Sequence, residues 1–155
     1  MEALLAAIEA SDLARSLRVS RWGYAAVSGV HIFGIALLVG AVVPLNLRLL
    51  GFWPKVPRID LLPVLITMAS IGFVIAALSG LLLFSVGAQD YAEIDFFQAK
   101  LVLIGLAIVS AVTVHRGHGL LLQGASQGRL SLHAFVSLTC WLGALACGRL
   151  IAFAE

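Results

Sequence analysis

An all-α membrane bundle of four helices is the fold class this sequence predicts, and three observations predict it. The chain has 155 residues, of which 61% are hydrophobic and 12% charged. Soluble domains carry about 25% charge, so a soluble core of this size could not hide so much apolar surface. The mean hydropathy is +1.06. The apolar residues fall into four runs long enough to cross a bilayer, which takes about 20 residues each. The length suits one domain, residues 1–155. A net charge of +2, with no basic cluster interleaved with aromatics, gives no sign of nucleic-acid binding.

Residues 1–20 read as a short interfacial helix. Leu4, Leu5, Ile8, Leu13 and Leu17 recur at roughly helical spacing against Glu9, Asp12, Arg15 and Arg18. Ser11 and Asp12 are placed to cap a second helical piece. Glu2, Glu9 and Asp12 interrupt the apolar run that a cleavable leader would need, so none is expected.

The first span is expected at residues 22–50, with Trp22 and Tyr24 at the membrane interface. It exceeds the length needed to cross, so it must tilt, kink at Pro44, or project from the membrane. The stretch GFWPKVPRID follows as a Pro-rich loop. The second span is expected at 61–86, with Pro63 in its first turn, where a missing N–H costs little. GAQDYAEID reads as an acidic loop. The third span is expected at 96–116, a Gly-rich connection follows, and the fourth span is expected at 131–153.

Four spans put both termini on one side. Arg48, Lys55, Arg58, Arg116 and Arg129 flank the spans on the other side. Against Arg15, Arg18 and Arg21 on the terminus side, with Lys100 and Arg149 placed inside the spans, that makes it the expected cytoplasmic side, with N-out and C-out in a bacterial inner membrane. Cys140 and Cys147 lie seven residues apart in one helix. Their separation is about 10 Å along the axis. A disulfide needs Cα atoms within about 7 Å, so they cannot pair there. Ser137, Cys140, Ala144 and Cys147 share a stripe of small residues, as do Ser70, Gly72, Ser79 and Gly80, and both stripes suit close helix packing.

Ionisable residues inside a span are costly and mark a site or a partnered pair. His31, Lys100 and Arg149 all fall in the half of the bilayer that bears the termini. No acid accompanies them within the spans; Asp90, Glu93 and Asp95 lie just outside. Such a cluster suits an anionic ligand, and a haem fits, with the imidazole on iron and cations near the propionates. The competing reading gives His31 a helix–helix hydrogen bond to a Ser or a backbone carbonyl. For Lys100 and Arg149 it is snorkelling toward the acidic loop. His115 lies 15 residues beyond Lys100. That is about 22 Å on an ideal helix, too far for His31 and His115 to share one iron. With His118 and His133 it reads as an interfacial cluster on lipid headgroups, or as a second site.

The segments HIFGIALLVGAVVPLNLRLLG, GLLLF, FFQAKLVLIGLAIVSAVTVH and GRLIAF resemble those of small uncharacterised bacterial four-helix membrane proteins. More distantly, the first and third spans are similar to the HemJ-type protoporphyrinogen oxidases and to the CopD-like copper-resistance membrane domain. His31, Arg48, Lys100 and His115 stand where the oxidase pattern has its histidines, arginine and lysine. The resemblance implies haem b held by His31 and Lys100. It also implies a redox or electron-transfer role, on a quinol or a porphyrinogen. The Pro-rich first loop and the GRLIAF ending depart from the oxidase pattern. The full expectation is therefore haem b on His31, with Lys100 as second ligand or propionate partner and Arg149 on a propionate. The alternatives are a non-enzymatic subunit of a larger membrane complex, and a copper-handling protein. The copper reading would draw on Met1, Met68 and the two cysteines.

Overall fold

The computed structural model describes residues 2–119, 121–122 and 124–153, apart from the side chain of His118. They form α1 (Glu2–Glu9), α2 (Asp12–Val19), α3 (Arg21–Leu49), α4 (Arg58–Ser85), α5 (Ala88–Glu93), α6 (Asp95–His118) and α7 (Gln127–Leu150), and end in a 3-10 turn at Ile151–Phe153. The fold is all-α, and α3, α4, α6 and α7 are long and apolar enough to cross a membrane.

Capping chemistry explains the boundaries. The Ser11 side chain accepts from the Ala14 amide at 3.3 Å while its hydroxyl donates to Ile8 O at 2.7 Å, ending α1 and starting α2. The interfacial segment is thus two helices meeting at the expected cap. Ser20 accepts from the Gly23 amide at 3.0 Å and starts α3. At 29 residues, α3 is about 43 Å long against a hydrocarbon core of about 30 Å, so it tilts or projects.

Three expectations need correction. α7 begins at Gln127 rather than near 131, so the Gly-rich connection is shorter than expected. α4 begins at Arg58 rather than near 61, because Pro57 holds the φ of −61° that leads into a helix. Pro63 is therefore its sixth residue, beyond the first turn. The carbonyl it leaves without a helical donor belongs to Ile59, which is 58% exposed at the membrane rim, where water can serve it. The acidic stretch after α4 is also not all loop. Residues 88–93 are helical, and Glu9 Oε1 accepts from the Gln89 amide at 2.7 Å. A carboxylate from α1 thus caps α5 from outside. Nothing in the local sequence of α5 announces a cap that comes from 80 residues away.

α3 lies antiparallel to α4 at very close range. A Cβ on Gly34 would sit 2.6 Å from the Ala76 amide nitrogen, and one on Gly72 would sit 2.5 Å from that of Leu38. α3 also packs on α7, and α7 on α6. Buried Asn46 donates to Ser137 Oγ of α7 at 3.0 Å and to Val42 O at 2.9 Å. α4 touches α7 through the edge-on pair Phe73 and Trp141 at 6.2 Å. α4 meets α6 through the stacked rings of Phe84 and Phe97 at 5.2 Å.

The two ends of the bundle differ. At the loop end, Leu49, Leu62, Val114, Leu122, Leu130 and Ala134 close a core drawn from all four long helices and the α6–α7 connection. At the end bearing the termini, α3 has no buried residue before Gly34, α6 none before Ala107, and α7 none from Leu145 to Leu150. Their inward positions there are only half-buried.

Candidate functional site

His31 sits in this looser half, and α4 sets its orientation. Its Nδ1 lies 2.9 Å from Ala76 O and 3.2 Å from Ser79 Oγ. A carbonyl oxygen only accepts. The Ser79 hydroxyl hydrogen is directed to Ile75 O at 2.5 Å. Both neighbours therefore accept, and hydrogen-bond logic assigns the proton to Nδ1. Nε2 is left with its lone pair free to accept or to ligate. The ring lies against Gly80, where a Cβ would come 3.0 Å from Cε1. Gly80 is the residue that lets the imidazole lie this close to α4.

Lys100 approaches from α6. Its Nζ lies 3.6 Å from where a Cβ on Gly148 would be, which places the amine against α7 at this glycine. Its charge is close enough to act on Cys147 and on His31. Among the described residues Lys100 has no hydrogen bond or ion pair. Snorkelling toward Asp90, Glu93 or Asp95 would have produced one. All four spans thus contribute to one interior: His31 from α3, Ser79 and Gly80 from α4, Lys100 from α6, and Cys147 and Gly148 from α7. A lone-pair nitrogen and a cation lie in this half of the bundle, and among the described residues no acid pairs with either.

Arg149 shares the end of the bundle but not this interior. It is exposed, and its guanidinium lies 4.7 Å above the ring of Phe153. One residue along a helix turns the side chain by about 100°, which separates Arg149 from the inward-facing Gly148. Sequence depth alone grouped the three residues; helical phase divides them.

Two of the remaining histidines have partners. His133 Nδ1 lies 3.1 Å from Ser110 Oγ, an α6–α7 bond that the sequence reading missed. His115 Nδ1 lies 3.3 Å from Gly119 O at the end of its own helix. The side chain of His118 lies outside the described residues. Among the described residues no group of three or more His, Cys, Asp or Glu converges to hold a metal ion. Met1 lies outside the described residues, Met68 is exposed, and both cysteines are free.

The donors present fit a haem in one respect that can be stated chemically. An axial histidine needs its second ring nitrogen anchored as a donor and Nε2 bare, and His31 has that arrangement. Sequence reading found His31 and Lys100 from their polarity. It took Ser79, Gly80 and Cys147 for packing and passed over Gly148. The signal it lacked was that Gly80 and Gly148 face those two polar side chains. Comparison with protein-family models, with curated proteins and with solved structures finds no match to this chain.

Proposed function

We propose that this four-span membrane protein binds haem b in the half of the bilayer bearing its termini, with His31 Nε2 as the axial ligand. The observation that carries the reading is the pair of acceptors at Nδ1, Ala76 O at 2.9 Å and Ser79 Oγ at 3.2 Å, which assigns the proton to Nδ1 and leaves Nε2 for the iron. Lys100 supplies either a second axial nitrogen or a cation for a propionate. Arg149, on the exposed side, reaches a propionate only at the rim. A haem in this place supplies one-electron redox chemistry within reach of lipid-soluble partners. The role is then electron transfer, or a redox step on a quinol or a porphyrinogen. The Lys and Arg residues around the loop end favour the cytoplasmic side there, hence N-out and C-out in a bacterial inner membrane.

The test is the absorption spectrum of the purified protein, oxidised and reduced. A Soret band that His31→Ala abolishes and Ser79→Ala shifts supports the reading. A colourless protein, prepared from haem-replete cells, overturns it. The half-buried inward faces near the termini favour one other reading in that event. The chain would then be a non-enzymatic subunit whose partner completes that half.

A further inference from the structure

We propose that the His31–Lys100 interior is closed to water and opens sideways into the bilayer between α4 and α6, and that it admits a lipid-phase molecule with an anionic head. The proposal deepens the reading above by naming what the same interior takes up, but it does not require that the occupant contain iron.

Three observations carry it. The first is a roof. α2 leads into α3 at Ser20 and is pinned to the end of α4, where Arg18 Nη2 donates to Val86 O at 2.5 Å. α1 is pinned to α5 by Glu9 on the Gln89 amide. Ala14 of α2 and Ala88 of α5 are both fully buried in this layer. α2 therefore crosses from α3 to α4, and α5 crosses from α4 to α6, over the end nearest Lys100.

The second is a side opening. α3 packs along α4, α7 along α3, and α6 along α7, but α4 and α6 share no comparable interface. They are joined at the roof end by α5 and by the Phe84–Phe97 stack. Farther along, outward-facing Leu78, Leu81, Leu101 and Val102 are more than half exposed, a surface suited to lipid tails.

The third is charge. Lys100 lies about 7 Å past the start of α6, within the span, with no acid to meet it among the described residues. An intramembrane cation without a counter-charge is costly, and an anionic head entering from the lipid removes that cost. Gly148 and Gly80 keep the α7 and α4 surfaces beside Lys100 and His31 free of further side chains, so the amine and the imidazole are the groups such a head would meet.

The experiment uses Cys147, beside Lys100, as reporter in the full-length Cys140→Ala protein in liposomes. Uncharged N-ethylmaleimide is compared with a sulfonated maleimide present on both sides, and Lys55→Cys in the exposed loop gives the reference ratio of the two rates. The proposal expects a much higher ratio of uncharged to sulfonated labelling at Cys147 than at position 55. It also expects the sulfonated reagent to gain access when Glu9→Gln and Arg18→Ala release the roof. Equal ratios at the two positions overturn it, and so does a Cys147 that neither reagent reaches. For the anionic head, oleate in the bilayer should slow labelling by N-ethylmaleimide more than oleyl alcohol does. Lys100→Gln should remove that difference and Lys100→Arg should keep it. Equal protection by the two lipids in the parent protein overturns this part. A colourless protein that still shows the labelling pattern would refute haem binding and leave the lipid route standing.

Discussion

Replacing Gly72 by alanine tests the tightest contact in the bundle and the site that depends on it. The new Cβ would lie 2.5 Å from Leu38 N, 2.9 Å from Gly34 O and 3.0 Å from the Leu37 carbonyl carbon. All three are backbone atoms, so no rotamer change relieves the clash. Restoring an ordinary 3.4 Å contact requires α3 and α4 to part by about 1 Å. Overpacking of this kind costs about 1–3 kcal/mol. Gly40 of the same hairpin is the control, because a Cβ there meets nothing within 4 Å. Gly40→Ala gains only the helix propensity of alanine, about 1 kcal/mol. Gly72→Ala carries the same gain against the clash, so it should be less stable than Gly40→Ala by about 1–3 kcal/mol. Reversible SDS titration of helicity in mixed micelles measures the difference. The same movement would stretch the 2.9 Å His31–Ala76 contact beyond hydrogen-bonding distance. A Soret band, if present, should then shift in Gly72→Ala and not in Gly40→Ala. Equal stability of the two variants would refute the claim that the backbones touch here.

Other expectations follow from single contacts. Asn46→Ala removes the α3–α7 bond to Ser137 and should cost about 1 kcal/mol, in line with other polar contacts between membrane helices; the same titration reads it. Ser20→Ala removes the α3 cap and should cost about 1 kcal/mol, with faster hydrogen exchange confined to the Tyr24 end of the helix. Glu9→Gln should raise exchange at the Gln89 amide while leaving α6 and α7 protected; an unchanged rate would remove the external cap from the account. Single cysteines at Ala10 and Phe153 should react with an impermeant reagent from one side of the membrane, and cysteines at Lys55 and Arg129 from the other. Labelling of Ala10 and Phe153 from opposite sides would contradict four crossings.

The four spans were legible because apolar length is a coarse signal that tertiary context rarely overrides in a membrane. The Ser11 break was legible because a cap is local. The cap on α5 was not, because its acceptor, Glu9, reaches it through the fold. The start of α4 was missed because hydropathy rises only at Leu61, whereas Pro57 sets the backbone four residues sooner. At the site, polarity marked His31 and Lys100, and depth counting put them at one level. Helical phase was the missing coordinate. It turns Gly148 toward Lys100 and Arg149 toward Phe153, and it places Ser79 and Gly80 against His31. Knowing which way α4 and α7 face requires the packed structure, because these helices carry almost no amphipathic bias to read.

That lack of bias also explains why the two halves of the bundle can differ. A lipid-facing helix gains little from burying one apolar face over another, so close packing depends on small residues and interhelical hydrogen bonds. Gly34, Gly72, Asn46 and Ser137 supply those along α3, α4 and α7, and the loop end closes over Leu62 and Leu130. Nearer the termini, α6 offers Lys100 where a small residue would allow closure. Gly80 and Gly148 do not draw their neighbours in; His31 and Lys100 occupy the room they leave. The glycines that act as packing contacts in one half act as clearance in the other. Filling Gly72 and filling Gly148 should therefore have different consequences. Gly72→Ala loosens the fold, whereas Gly148→Ala meets the Lys100 side chain no closer than 3.6 Å, which is ordinary contact, and should leave stability nearly unchanged. If Gly148→Ala instead destabilised the protein as Gly72→Ala does, the terminus-side half would be a packed core, and neither a haem nor a lipid head would have room there.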